Sequence, residues 1–278
     1  VNASPDNSDR TSPGHAAFGD AAHPPVVLLH GFMGSSEDWR GVAAALAGEF
    51  YCVVPDLPGH GVSVGLPPES YSFGGAARTL ISLLDCLGLE RAALAGYSMG
   101  GRLALYLALR RPERCSGLLL ESTSPGIENI TEREARVEAD EERAARLESG
   151  DFGEFVADWY RQPLFASLAR REGLVEALIP ARLRNDPAEL ARALRGLSAG
   201  RQPSLWAELP GLSVPALAVA GALDERYVAV ARRMAALSPR LRAAVVPGAG
   251  HNVHLEAPGE YIRLLKEALR SLYNPRHD

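Results

Sequence analysis

The sequence predicts an α/β fold, a mostly parallel sheet flanked by helices and interrupted by an all-helical insertion. Three observations predict it. From Val26 onward, short apolar runs alternate with amphipathic, helix-forming segments. One stretch, residues 124–209, breaks the alternation and carries no convincing strand. A glycine-flanked serine, Gly96-Tyr97-Ser98-Met99-Gly100, sits where one apolar run meets the helical segment after it.

Residues 1–25 are rich in Ser, Asp, Asn, Gly and Pro and hold no apolar stretch resembling a signal-peptide core. They read as a mobile leader that buries too little surface to fold alone. Residues 26–29, 51–54, 92–95, 116–121, 216–220 and 242–246 are short apolar runs, many bounded by Gly, Pro or Asp, and read as strands. Between them, 38–47, 72–87, 101–110 and 226–237 read as helices, and 258–272 as a last helix. After the serine, Leu103, Tyr106 and Leu107 fall at i, i+3 and i+4. Within the insertion, Phe152, Phe155, Val156 and Trp159 recur at i, i+3, i+4 and i+7, one face of an amphipathic helix, and 132–148 and 187–197 are also helical in pattern. The organisation expected is a leader (1–25), a core (26–123 and 210–278) and a helical lid (124–209) over the carboxyl ends of the strands, where a ligand belongs.

Composition narrows the function classes. Of 278 residues, 46% are hydrophobic and 23% charged, enough for a sizeable core. A net charge of -5 argues against nucleic acid or a membrane surface as partner, and no apolar run approaches a membrane span. Cys52, Cys86 and Cys115 are scattered in or beside apolar runs without metal-ligand spacing. They read as buried thiols of a reducing, cytoplasmic compartment, with no metal site.

The serine motif is a G-x-S-x-G between strand and helix, the nucleophile elbow of the α/β-hydrolase fold. The glycines leave room for a strained turn that lifts the Ser98 hydroxyl to the helix N-terminus, where developing negative charge is favoured. Chain order in that fold is nucleophile, acid, histidine. Asp224, on the loop after the strand at 216–220, fits the acid, though it also fits a helix N-cap. Glu121, at the end of an earlier strand, is the rival acid. His251 stands in a glycine-rich loop free of any apolar periodic face and fits the base, while nearby His254 reads as a structural or rim residue. The turn Leu28-Leu29-His30-Gly31-Phe32-Met33-Gly34 supplies a second backbone donor, so that the N–H groups of Phe32 and Met99 form an oxyanion hole. His30 and the turn Asp56-Leu57-Pro58-Gly59-His60-Gly61 read as loop-organising elements.

Across residues 26–272 the chain resembles the α/β-hydrolase superfamily. Within it the chain is similar to the 2-succinyl-6-hydroxy-2,4-cyclohexadiene-1-carboxylate synthases of menaquinone biosynthesis. The similarity rests on Leu29-His30-Gly31-Phe32-Met33-Gly34 with Asp38-Trp39, and on Gly96-Tyr97-Ser98-Met99-Gly100-Gly101-Arg102. Further pieces are Glu121-Ser122-Thr123-Ser124-Pro125-Gly126, Asp158-Trp159-Tyr160-Arg161-Gln162-Pro163, Gln202-Pro203-Ser204-Leu205-Trp206, and Gly250-His251-Asn252 with His254. The leader has no counterpart in this pattern.

The resemblance implies a lyase on a hydrolase scaffold, acting without cofactor or metal. Ser98 or His251 takes a proton from a substituted cyclohexene bearing several carboxylates, and pyruvate is eliminated. It also implies arginine clamps: Arg102, one helical turn past Ser98, with Arg136 and Arg182 from the lid, Arg184 being the alternative if the register shifts. Tyr97 and Trp159 line the site or, as aromatics at helical spacing, belong to the core. Two other readings remain: a hydrolase acting on an ester or a carbon–carbon bond, which needs no converging arginines, and a receptor that keeps the triad to bind a ligand.

Overall fold

Seven strands form one sheet: β1 (His15–Phe18), β2 (Pro25–Leu29), β3 (Tyr51–Pro55), β4 (Ala92–Tyr97), β5 (Cys115–Glu121), β6 (Ala216–Gly221) and β7 (Leu241–Val246). The computed structural model describes residues 13–273. The strand order is β1-β3-β2-β4-β5-β6-β7, and every pairing from β3 to β7 is parallel. The central strands are nearly continuous apolar runs, as befits a parallel sheet covered on both faces.

The expected leader ends sooner than Pro25. Its residues His15–Phe18 form β1, which pairs antiparallel with β3 in register from His15 opposite Pro55 to Phe18 opposite Cys52. Four residues of modest hydrophobicity alternate between exposed and half-buried, a signal too short to rise above its polar surroundings. The strand forms because the edge of β3 offers it hydrogen bonds. Residues 1–12 of that expected leader lie outside the described residues.

The first helices of the core are α1 (Arg40–Leu46), α2 (Phe73–Cys86) and α3 (Met99–Arg110). Between β5 and β6 the chain is all helical: α4 (Ile130–Ser149), α5 (Phe152–Arg161), the short α6 (Ala166–Ala169), α7 (Leu174–Arg182) and α8 (Pro187–Gly196). After it come α9 (Glu225–Leu237), the one-turn α10 (Val253–Glu256) and α11 (Pro258–Tyr273). Three insertion helices start at a side-chain cap: Asn129 accepts from Glu132 N, Asp151 from Glu154 N, and Asp186 from Ala188 N. Pro187 then opens α8, where its missing N–H costs nothing.

Apolar faces sort these elements into layers. Leu80, Leu84, Leu103, Leu107 and Met234 bring α2, α3 and α9 onto one face of the sheet. Val42, Leu46, Tyr261 and Leu265 bring α1 and α11 onto the other. The insertion has its own core, in which Leu147, Phe155, Val156, Leu168 and Leu190 gather around Met33 of the β2 loop. That loop is thereby pressed between sheet and insertion. Trp206 Nε1 donating to Gly126 O joins the two ends of the insertion to each other, and Arg233 of α9 paired with Glu128 ties its start to the core.

Cys52 and Cys115 are buried, which pushes both thiols up to about 12. Cys86 is exposed, against expectation: it is the last residue of α2 and lies off the helix's buried stripe. Among the described residues no helix is long and apolar enough to cross a membrane.

Candidate active site

Ser98 links β4 to α3 with φ 49° and ψ −107°, a conformation that a non-glycine residue adopts under strain. The surroundings enforce it. A Cβ on Gly100 would lie 2.3 Å from Leu29 O, and one on Gly96 would lie 2.5 Å from the backbone of Gly100. Only glycines let the elbow close this tightly against β2. Ser98 N donates to Glu121 O at 2.9 Å, which anchors the turn to β5.

His251 reaches the elbow from the loop after β7. Its Nε2 lies 3.4 Å from Ser98 Oγ, and its Nδ1 lies 2.7 Å from Asp224 Oδ2. The other oxygen of Asp224 accepts from Tyr227 N at 3.3 Å, so the residue caps α9 and holds the histidine at once. Side-chain exposure is 1% for His251 and 9% for Asp224, a setting in which their mutual bond is hardly diluted by water. Rings of Tyr227, Tyr97 and Phe165 surround the imidazole at centroid distances of 4.8, 5.5 and 6.1 Å.

The backbone of this loop is held by two groups that spacing alone did not reveal. Glu256 accepts from Gly250 N at 3.0 Å and Asn252 N at 3.2 Å, on either side of the histidine. Ser122 Oγ donates to His251 O at 2.8 Å. Glu121, the rival acid, is fully buried against His254, whose Nδ1 lies 2.8 Å away, and so does not serve His251. His254 in turn stacks on Trp39. On the β2 loop, His30 Nε2 accepts from Leu57 N at 2.9 Å, and Asp56 accepts from Ser36 N and Val62 N. Both organise their turns, as expected.

A cavity opens beside Ser98 and His251, bordered by Phe32, Met99, Tyr97 and Trp159. Trp159 of α5 lies with its ring 5.0 Å from that of Phe32, so the insertion roofs the β2 loop. Four guanidinium groups line the cavity, Arg102, Arg136, Arg143 and Arg226, against one carboxylate, Asp140. Arg136 Nε and Arg143 Nη1 both bond to Asp140, at 2.8 and 2.9 Å, and Ser198 Oγ donates to it as well. Arg102 has no acidic partner among the described residues. It donates to Leu197 O and Gln202 Oε1 and lies over the Phe73 ring. Burial, with Arg136 nearby, pulls its pKa down to about 10, so it remains charged at neutral pH while lacking a counterion. Among the described residues no group of three or more His, Cys, Asp or Glu is placed to hold a metal ion.

The α/β hydrolase fold family matches residues 24–258 of the chain. A 2-succinyl-6-hydroxy-2,4-cyclohexadiene-1-carboxylate synthase of Serratia proteamaculans is 36% identical over 252 residues, spanning 90% of this chain and 95% of that protein. The chain belongs to this synthase family. The structure of MenH from S. aureus superposes with a TM-score of 0.89 at 32% identity, covering 94% of this chain and 99% of that one. A thermophilic esterase from Thermogutta terrifontis superposes at 0.81 with 28% identity over 93% of each chain, so the same scaffold also carries ester chemistry.

In this member of the synthase family, most site residues expected from sequence come together. Ser98, His251, Phe32, Met99, Tyr97, Trp159, Arg102 and Arg136 share one cavity, with Asp224 behind the histidine. Arg182 does not join them. It is 4% exposed, its Nη1 lies 2.7 Å from Asp38 Oδ1, and its Nε donates to Tyr160 OH at 2.8 Å. Burial opposes its charge, yet Asp38 and Tyr160 outweigh that and hold its pKa above the ordinary range. The guanidinium fastens α7 to the β2 loop, and Arg184 does not border the cavity either. The cations found in their stead are Arg143 and Arg226. Arg143 lies two turns past Arg136 on the same helix face, and Arg226 lies two residues past Asp224, both readable spacings.

Proposed function

We propose that the chain is a pyruvate-eliminating 2-succinyl-6-hydroxy-2,4-cyclohexadiene-1-carboxylate synthase of menaquinone biosynthesis. Its substrate in this reading is 2-succinyl-5-enolpyruvyl-6-hydroxy-3-cyclohexene-1-carboxylate. The carrying observation is the charge of the cavity: four guanidinium groups against one carboxylate beside Ser98 and His251. That excess suits a substrate with three carboxylates, whereas an esterase for neutral substrates has no use for it.

The geometry supports the following chemistry. Asp224 holds the Nδ1–H of His251, which leaves Nε2 as the acceptor facing Ser98. Ser98 oxygen takes the proton from the ring carbon next to the succinyl carbonyl as its own proton passes to His251. The freed electron pair forms a ring double bond, the existing double bond shifts, and the carbon–oxygen bond to the enolpyruvyl group breaks. The released enolate takes a proton at carbon from His251 and leaves as pyruvate. Meanwhile the N–H groups of Phe32 and Met99 receive the charge that builds on the succinyl oxygen, worth about 3 kcal/mol per donor.

Purified protein given the intermediate should release pyruvate, read by a coupled lactate dehydrogenase assay. The Ser98→Ala variant should be slower by at least about two orders of magnitude. Acid quench and intact-mass measurement should find unmodified protein throughout turnover. No pyruvate, together with a transient acyl group on Ser98 during aryl-ester cleavage, would replace this reading by that of a hydrolase.

A further inference from the structure

The cations of the cavity fall into two places. Arg102 of α3, with Arg136 and Arg143 of α4, stands at the end closed by Leu197, Ser198 and Gln202. Asp140 already neutralises part of that charge. Arg226 comes from another element, in the first turn of α9, two residues past Asp224 and next to Tyr227, whose ring faces His251 at 4.8 Å. It is exposed and forms no ion pair among the described residues, although Asp224 and Glu225 are its chain neighbours. The expected third clamp, Arg182, is consumed by Asp38 outside the cavity.

We infer that Arg226 binds the carboxylate of the departing three-carbon enol unit and selects substrates that carry an anionic leaving group. This assignment rests on the pyruvate-eliminating reading above. The closed end suits the carboxylates that stay on the ring and its succinyl tail. The departing unit has to reach water, and Arg226 is the cavity cation exposed to it. When the carbon–oxygen bond breaks, its electron pair moves onto the enol oxygen, so the leaving group passes from one negative charge to two before it takes a proton. A cation beside it therefore binds the transition state more tightly than the substrate. It shares the cavity lining with His251, so the enolate it holds has the imidazolium that returns the proton within the same cavity.

Two measurements test this separately from the reaction itself. Pyruvate binding, followed by ligand-observed NMR on the intact protein, should weaken about tenfold or more in Arg226→Gln. It should be little changed in Arg143→Gln, while succinate should respond the opposite way. On the intermediate, Arg226→Gln should lower kcat as well as raise KM, and Arg226→Lys should restore part of both. Pyruvate binding equal in wild type and Arg226→Gln, or absent from both, would overturn the assignment. A wild type that binds pyruvate through Arg226 yet releases none from the intermediate would overturn the proposed reaction instead.

Discussion

Arg102 and Arg182 are both clamp candidates by sequence, yet the molecule uses them in opposite ways. Around Arg182 the protein supplies everything a buried guanidinium needs: a carboxylate from Asp38 and a hydroxyl from Tyr160. Around Arg102 it supplies a carbonyl, an amide oxygen and an aromatic face, and no acid. The first arrangement is complete without a ligand and serves to fasten α7 to the β2 loop. The second remains short of one anion and faces the cavity that holds Ser98. A charged group that the fold leaves without a counterion is thus the better pointer to an anionic substrate than a charged group that is merely buried.

Paired substitutions sharpen that contrast. Arg182→Met keeps the bulk but strands Asp38, and urea unfolding should show a loss of about 3 to 5 kcal/mol. Stability equal to wild type would erase the distinction. Arg102→Met should act the other way round. Steady-state kinetics on the intermediate should show kcat/KM lower by roughly 10- to 150-fold, with stability unchanged or raised, since a poorly solvated charge is removed. A variant that unfolds more easily while keeping its kcat/KM would make Arg102 a second fastener.

The smallest effect concerns the histidines near Arg182. Burial lowers the pKa of His30, and burial with His30 beside it lowers that of His60 from 6.5 to about 3, Arg182 pushing both the same way. The unfolded chain takes up these protons below pH 6.5 more readily than the folded chain, so stability falls as pH falls through that window. Each histidine contributes up to about 1.4 kcal/mol per pH unit. Urea unfolding at pH 7, 6 and 5 should show a shallower decline in His60→Asn than in wild type. Parallel declines would mean that His60 is not held neutral.

Much of this was legible because the core obeys local rules. The runs at 26–29, 51–54 and 216–220 are apolar because both sheet faces are covered, and Ser98, Asp224 and His251 follow the strand ends that the fold reserves for them. β1 was not legible, since an edge strand of four residues owes its existence to a neighbour, β3, whose position no local pattern reports. Arg182 was misjudged for a related reason. Its partner Asp38 lies 144 residues away in sequence, and nothing in the spacing of either residue discloses the pair. Glu256 and Ser122 were passed over because each acts on the backbone beside His251, where residue type gives little warning.

The neighbouring strands β5 and β6 also carry a consequence in time. They pair along Leu118 to Glu121, yet the whole insertion is made between them. At translation rates of about 5 to 20 residues per second, β5 waits roughly 5 to 20 s for its partner. Ser98 has left the ribosome well before then, while Asp224 and His251 have not been synthesised. In the proposed reaction Ser98 therefore emerges ahead of the acid and base it would work with, and turnover has to wait for the last part of the chain.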